Sequence, residues 1–388
     1  MFNLRKILIM VIIIVTTLTV AGVVTNASGI TIKIDGNVVT SAVEPVVKDG
    51  RTLVPLRVIS EALGAQVNWS GLRQEATITT AAYNVVFTID SKNYTINGTA
   101  KTLDVPAELI SGSTMVPLRA FAESIGATVG YDDKTNTASV DYFTTMTGAI
   151  KVTGSTTAQP ILQAVADKLN MMNKSLTISV AGGGSGAGIK DTIEGTNNLG
   201  MSSRALTNDE MTQVSGITIA NDGIAIIVNP SNPVRNLSSE DAMKIFLGEI
   251  TNWKDVGGND APILVQTRET GSGTLATLEE MLLEKQSVVS TATPHTSAAL
   301  IKQAVAREAN AIGFDSIGFV DSSVKALSLN NIAATSDTVK RGSYLMGRGL
   351  IVITKGAPSG NVAMLIDYLR TSDCQENIVV KEGYISIN

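Results

Sequence analysis

Residues 267–274 read T-R-E-T-G-S-G-T, and this stretch decides the fold of the C-terminal part of the chain. It lies between an apolar run, residues 263–265, and an amphipathic segment, residues 275–283. The pattern predicts a strand, a glycine-rich turn and a helix. The first N–H groups of a helix are unpaired and lie at the positive end of its dipole, so a small tetrahedral anion binds well there. The predicted donors are Arg268, Ser272, Gly273 and Thr274.

The same construction occurs twice more. An apolar run at 150–152 leads into T-G-S-T-T at 153–157 and then a helical pattern, and the run at 176–180 leads into A-G-G-G-S-G-A-G at 181–188. Three strand–turn–helix units in one domain predict three helix N-termini around one ligand. The additional predicted donors are Ser155, Thr156, Thr157 and Ser185.

Composition excludes several classes of function. The chain has 388 residues, enough for two or three domains, and a formal net charge of −5 that argues against nucleic-acid binding. It contains one cysteine, Cys374, and one histidine, His295, so neither a disulfide, a zinc site nor a Ser-His-Asp triad is expected. No metal and no cofactor is predicted.

The N-terminus carries the pattern of an export signal. Arg5 and Lys6 precede a charge-free apolar run at 7–24, and small residues follow before Ser28. This predicts a signal peptide or a membrane anchor over residues 1–28. The remainder of the chain is therefore expected outside the cell membrane.

An internal repeat occupies the next part of the chain. The motif T-L-V-P-L-R at 52–57 recurs as T-M-V-P-L-R at 114–119, 62 residues later. Helices are predicted at 58–63 and 120–125, each started by the proline and stopped by the glycine that follows. The i, i+4 pairs Arg57–Glu61 and Arg119–Glu123 are predicted to be structural ion pairs.

These repeat motifs resemble the stalk-like N-terminal domain of copper amine oxidases. Residues 29–145 are therefore expected to form a small α+β module of two repeats. The segment contains no histidine and no cysteine, so copper is not carried over with the name. The module is predicted to be a spacer, and a contact with the cell wall through it is left open.

From residue 146 to 388 the chain resembles the phosphate-binding subunit of ABC-type phosphate transporters, a periplasmic-binding-protein family. Beyond the three turns, the resemblance rests on G-M-S-S-R at 200–204, D-G-I-A-I-I-V-N-P at 222–230 and K-E-G-Y-I at 381–385. It implies an α/β fold of two lobes, with lobe one at about 149–225 plus 346–388 and lobe two at about 226–345. The implied partners are inorganic phosphate, bound between the lobes, and an ABC-type permease in the membrane.

One position departs from this family's pattern. Ser203 lies where many relatives carry an aspartate that accepts the proton of bound phosphate. Such an acceptor would reject sulfate, which has no proton. Asp222 is the predicted replacement, because it precedes an apolar strand expected to begin at the cleft. Arg204 is predicted to bind the anion or to orient Asp222.

Other functions stay open on the sequence alone. The protein could bind another oxyanion such as sulfate, or be a wall-associated protein with a vestigial anion site. A hydrolase would need a metal or a nucleophile with a base, and the residue inventory argues against both. G-x-G-x-x-A at 182–187 is a weak dinucleotide fingerprint that lacks the acid expected after the next strand.

Overall fold

The structure is a computed structural model that describes residues 29–388. The predicted export signal at 1–28 lies outside the described residues. None of the helices within 29–388 is long and apolar enough to cross a bilayer.

The N-terminal module (residues 29–145) is built mainly from short strands. In chain order its elements are β1 (Thr31–Ile34), β2 (Asn37–Val39), β3 (Val46–Lys48), β4 (Arg51–Pro55), α1 (Leu56–Ala62), β5 (Gln66–Ser70), β6 (Glu75–Thr79), β7 (Asn84–Thr88), β8 (Asn93–Ile96), β9 (Thr99–Thr102), β10 (Glu108–Ile110), β11 (Ser113–Pro117), α2 (Leu118–Ser124), β12 (Thr128–Asp132) and β13 (Thr137–Asp141). They form three sheets with the strand orders β12-β13-β1-β2, β10-β11-β4-β3 and β5-β6-β7-β8-β9.

The two repeats pair with each other through equivalent strands. β4 and β11 are antiparallel, with Val54 opposite its repeat equivalent Val116. Helices α1 and α2 begin directly after Pro55 and Pro117, two residues earlier than predicted, because proline presets the first helical turn. Arg57 and Glu61 form the predicted ion pair at 3.3 Å, but Arg119–Glu123 is not among the ion pairs of residues 29–388.

The C-terminal domain (residues 146–388) alternates strands and helices. Its elements are β14 (Gly148–Gly154), α3 (Gln159–Met172), β15 (Leu176–Ala181), α4 (Ser185–Glu194), β16 (Leu199–Ser202), α5 (Asn208–Met211), β17 (Ser215–Val228), β18 (Asn236–Leu237), α6 (Ser239–Leu247), β19 (Leu264–Arg268), α7 (Gly273–Met281), β20 (Thr293–His295), α8 (Ala298–Arg307), β21 (Ala311–Ser316), β22 (Lys325–Ala326), β23 (Ser328–Leu329), α9 (Ser336–Lys340), β24 (Gly347–Thr354), α10 (Gly360–Arg370) and α11 (Ser372–Cys374). The main sheet has the order β15-β14-β16-β24-β17-β21-β19-β20.

The long strand β17 joins the two halves of this sheet. Its residues 215–223 pair with β24, and its residues 224–228 pair with β21. We call the half with β14–β16 and β24 lobe one, and the half with β19–β22 lobe two. Asp222 therefore lies in the middle of β17, and the prediction that a strand begins there is wrong.

The N-terminal module packs directly against lobe one. One apolar core contains residues of both, including Phe121 of α2, Phe143 of the connecting turn and Ile366 of α10. The buried carboxylate of Asp367 accepts hydrogen bonds from the N–H of Ala81 (2.6 Å) and the hydroxyl of Tyr142 (2.9 Å). The module is thus fixed on lobe one through a shared core and buried polar contacts. Lobe two has its own core, which includes Ile226, Phe246, Leu278 and Phe314.

Candidate anion-binding site

The first predicted turn connects β14 to α3. Ser155 is buried, and its hydroxyl accepts the N–H groups of Thr157 and Ala158, both at 3.2 Å. It therefore acts as a cap of α3, although its own hydrogen remains able to donate. The Thr156 hydroxyl accepts from Arg268 at 3.0 Å, and the Thr157 hydroxyl lies 3.0 Å from that of Thr274.

The second turn connects β15 to α4 and needs glycine for its shape. Gly184 has φ of +90°, and a Cβ there would stand 3.0 Å from the carbonyl oxygen of Gly271. The N–H of Gly186 donates to that same oxygen at 2.9 Å. Ser185, the first residue of α4, is fully buried. This turn of lobe one consequently touches the third turn, which belongs to lobe two.

The third turn connects β19 to α7. Ser272 caps α7, since its hydroxyl accepts the N–H of Leu275 at 3.3 Å. A Cβ on Gly273 would stand 2.3 Å from the hydroxyl of Ser185 and 2.6 Å from that of Ser203. Only a glycine lets the two helix starts approach this closely.

The structure thus brings the three predicted turns together. Within residues 29–388, the N–H groups at these helix starts that have no hydrogen-bond partner include those of Thr156, Ser185, Gly273 and Thr274. Unpaired N–H groups at converging helix N-termini form a positive environment for an anion.

Arg268 is buried at the end of β19, beside the three turns. Its Nε donates to the carbonyl oxygen of His295 (3.1 Å), and its Nη2 donates to Thr156 (3.0 Å) and to the carbonyl oxygen of Thr296 (3.2 Å). Burial lowers the pKa of Arg268, while the neighbouring Asp315 opposes that shift. Because neutral oxygens hold the guanidinium in place, its positive charge is available to an anion.

Arg348 of β24 is a second arginine with a buried side chain here, and it is absent from the residues predicted from the sequence. Its Nε (2.9 Å) and Nη2 (2.8 Å) donate to Oδ2 of Asp222. Its Nη1 donates to the Thr274 hydroxyl (3.0 Å) and to the carbonyl oxygen of Ser203 (3.1 Å). An arginine inside a strongly apolar strand pattern was the available signal, because arginine is rarely buried without a partner.

Asp222 is fully buried, and both of its carboxylate oxygens are engaged. Oδ1 accepts the hydroxyl of Ser316 at 2.6 Å, and Oδ2 accepts Arg348. Ser203 is also buried; its N–H donates to the Ser185 hydroxyl at 3.0 Å. Asp222 therefore holds Arg348 in place, and its role as acceptor of a phosphate proton stays a prediction.

Arg204 makes a different contact from the one predicted. Its two terminal nitrogens donate to the two carboxylate oxygens of Glu210 at 2.8 and 2.7 Å. This ion pair lowers the pKa of Glu210. The arginine that orients Asp222 is Arg348, because a long strand pairing places β24 beside β17.

The described residues contain no cluster of His, Cys, Asp and Glu suited to a metal ion. His295 is half-buried, and its Nε2 lies 2.9 Å from Oε1 of Gln266. Burial, followed by the nearby charge of Arg268, lowers the pKa of His295. His295 thus lies beside Arg268 and helps to enclose it.

Two family models match the chain. The model described as PBP superfamily domain matches residues 123–372, and the model described as copper amine oxidase N-terminal domain matches residues 33–140. The overlapping residues 123–140 contain the end of α2, all of β12 and most of β13 of the N-terminal module, where β13 pairs with β1.

Named relatives agree with the first match. The phosphate-binding protein PstS of Bacillus subtilis is 31% identical over 262 residues, covering 66% of this chain and 87% of the relative. PstS of Borreliella burgdorferi is 29% identical over 256 residues, covering 61% and 90%.

Solved structures show the same fold. A proposed phosphate ABC transporter substrate-binding protein of Clostridium perfringens, crystallised with phosphate, is 34% identical, with a TM-score of 0.59 over 62% of this chain and 100% of that one. An ABC-type phosphate transport receptor of Vibrio cholerae is 35% identical, with a TM-score of 0.53 over 61% and 99%. The chain therefore belongs to the PBP superfamily, in the family of the phosphate-binding proteins PstS, and carries an N-terminal domain of the copper amine oxidase type.

Proposed function

We propose that this protein captures inorganic phosphate between its two lobes and delivers it to an ABC-type permease. The observation that carries the proposal is the convergence of three helix N-termini on the buried guanidinium of Arg268. The phosphate-binding relatives support the same ligand. The proposed phosphate-binding residues are Thr156, Thr157, Ser185, Ser203, Arg268, Ser272, Gly273 and Thr274, with Ser155 as a capping residue.

The energetics favour a site with many donors. Removing a multiply charged anion from water is costly unless its oxygens are fully hydrogen-bonded. A charge-assisted hydrogen bond contributes about 1.5–3 kcal/mol, and a helix terminus adds roughly 0.3–2 kcal/mol. Several N–H groups, several hydroxyls and one guanidinium are therefore together sufficient to hold phosphate. We propose that the site binds its ligand without chemical conversion.

Isothermal titration calorimetry with phosphate, sulfate and other oxyanions tests the ligand. We expect phosphate to bind and Arg268→Met to weaken it by about 100-fold or more, since a charge-assisted fork is lost. Arg204→Met is the matched control, because this arginine is bound to Glu210, and it should leave the affinity within about threefold. A preference for sulfate would assign the site to another oxyanion, and equal losses in both variants would contradict the assigned geometry.

We further propose that the protein works outside the cell membrane, exported or anchored by residues 1–28.

We also propose that the N-terminal module contacts the cell wall. A surface cavity of about 510 Å³ in this module is the place to seek a wall ligand, since it is lined by Tyr94, Arg119, Glu123 and Tyr131 among others. Sedimentation of the full chain with isolated cell wall, compared with an Arg119→Ala, Tyr131→Ala variant, tests it.

A further inference from the structure

Asp315 is a buried carboxyl group that the proposed set of phosphate donors leaves unused. It lies on β21 and is 1% exposed. Its Oδ1 accepts the N–H of Ser316 at 2.8 Å, whereas its Oδ2 is buried and has no hydrogen-bond partner within residues 29–388. Leaving a carboxylate oxygen buried and unpaired is costly, so this oxygen requires either a proton or a donor.

The strand register places Asp315 beside Arg268. β19 and β21 are parallel, with Leu264 opposite Ala311 and Val265 opposite Ile312. If this register is continued for three residues along both strands, Arg268 comes opposite Asp315 on the same face of the sheet, in agreement with the electrostatic interaction between the two side chains. The donors of Arg268 are directed to Thr156 and to two carbonyl oxygens, and no hydrogen bond joins it to Asp315. The carboxyl group therefore lies near the arginine proposed to bind the anion, and no hydrogen bond from Asp315 occupies that arginine.

The charges nearby do not stabilise an ionised Asp315 enough to offset its burial. The charge of Arg348 is already matched by Asp222, whose own negative charge repels that of Asp315. Burial raises the pKa of Asp315 to about 8, even though Arg268 and Arg348 act in the opposite direction. The titratable and charged groups around Asp315 are Arg268, Arg348, Asp222, Tyr384 and, behind Arg268, His295.

A bound dianion would add two further negative charges to this place. An ionised Asp315 would then face Asp222 and the anion together in a site shielded from water, where repulsion between like charges is strong. A neutral carboxyl group would instead offer an O–H donor to an anion oxygen, as carboxylic acids kept neutral by burial do elsewhere.

We propose that Asp315 binds the anion as a neutral acid, with the proton on Oδ2 donated in a hydrogen bond to a phosphate oxygen. This inference rests on the proposed function, because it concerns the same site. No covalent bond changes: the proton stays on the carboxyl group and returns to solvent after the anion leaves. Above the pKa that Asp315 has in the protein without anion, the protein must therefore take up one proton for each anion that it binds.

Calorimetry of the full chain in buffers of different ionisation enthalpy measures this uptake directly. At pH 9, where phosphate is already the dianion, we expect about one proton to be taken up per phosphate bound, and the affinity to fall about tenfold per pH unit between 8.5 and 9.5. This measurement uses the unmodified protein, so it holds even if a variant fails to fold. Binding without proton uptake at pH 9 would overturn the proposal.

Two substitutions separate a donor from a merely structural residue. Asp315→Asn keeps a donor at every pH, so the affinity should be retained at pH 7 and become independent of pH up to 9.5. Asp315→Ala removes the donor and should weaken binding about 10- to 100-fold at pH 7. If Asp315→Asn binds as weakly as Asp315→Ala, the carboxyl group accepts a proton from the anion and the proposal is wrong.

Asp367→Asn is the matched control, since Asp367 is a second buried carboxyl group with a raised pKa at the junction with the N-terminal module. It should leave the pH dependence of binding as in the unmodified protein. If the unmodified protein binds no phosphate at any pH, the proposed function fails. If it binds phosphate without proton uptake, only the role of Asp315 fails.

Discussion

Gly64 lies so close to Asp367 that a Cβ on the glycine would stand 1.9 Å from the main-chain oxygen of Asp367. Gly64 ends helix α1 of the first repeat, and Asp367 lies in α10 of lobe one. The repeat equivalent Gly126 has a similar backbone, with φ of +86° against +76°, but a Cβ there would meet only the Tyr83 hydroxyl at 3.6 Å. Two equivalent turns thus have different tertiary roles, and only the first docks the module on lobe one.

This contrast allows a matched pair of substitutions, Gly64→Ala and Gly126→Ala. Both force alanine into a left-handed backbone, which costs about 1 kcal/mol. Gly64→Ala must also push the module away from α10, so its total cost should be about 3 kcal/mol or more. Urea denaturation of the full chain measures both values. Equal losses would mean that the docking contact contributes nothing to stability.

The carboxyl group of Asp367 should make stability depend on pH. Burial raises its pKa to about 7, although the hydrogen bonds from Ala81 and Tyr142 act in the opposite direction. Because the folded protein keeps this proton while the unfolded chain loses it near pH 4, the contribution is complete below pH 4 and is lost as pH rises towards 7. The expected size is on the order of 3 kcal/mol. Urea denaturation at several pH values between 4 and 8 measures it.

Two variants of Asp367 separate its charge from its hydrogen bonds. Asp367→Asn cannot ionise and can still pair with Ala81 and Tyr142, so the fall in stability between pH 4 and 7 should become smaller. Asp367→Ala leaves both partners unpaired and should cost about 2–4 kcal/mol at pH 5. An unchanged pH profile in Asp367→Asn would show that the carboxyl group does not titrate in this range.

Removing Arg348 should affect stability and binding together. Arg348→Met leaves Asp222 as an unpaired buried charge, and we expect a loss of about 3–5 kcal/mol in the free energy of unfolding. Phosphate affinity should fall about tenfold or more, because Arg348 also holds Thr274 and the backbone at Ser203. Chemical denaturation and calorimetry on the same preparation measure the two effects.

The double variant Arg348→Met, Asp222→Asn tells the two effects apart. It removes the unpaired charge, so stability should recover in large part while the affinity stays low. Recovery of both quantities would mean that Arg348 acts only by neutralising Asp222. Recovery of neither would mean that the buried pair is required for the fold of β17 and β24.

The sequence predicts only part of the environment of Asp222 and nothing about Asp315, the two buried acidic residues of the site. The sequence predicts that Asp222 precedes an apolar strand, and that Arg204 binds the anion or orients Asp222. The structure places it inside a continuous strand that joins both lobes and pairs it with Arg348, 126 residues away in the chain. Asp315 and Arg348 each lie in a largely apolar strand, a pattern that can indicate a buried charged residue but does not identify its partner.

The sequence by itself determined the elements whose signal is local. Glycine, serine and threonine after a strand predict a helix start with free N–H groups, and a repeated Val-Pro-Leu-Arg motif predicts a repeated turn into a helix, because both depend on neighbouring residues. Tertiary structure alone decided which arginine meets which aspartate, and that the turn at Gly64 lies against lobe one while the equivalent turn at Gly126 does not. Those contacts join residues far apart in the chain, and their energy depends on burial and distance, which spacing along a sequence does not encode.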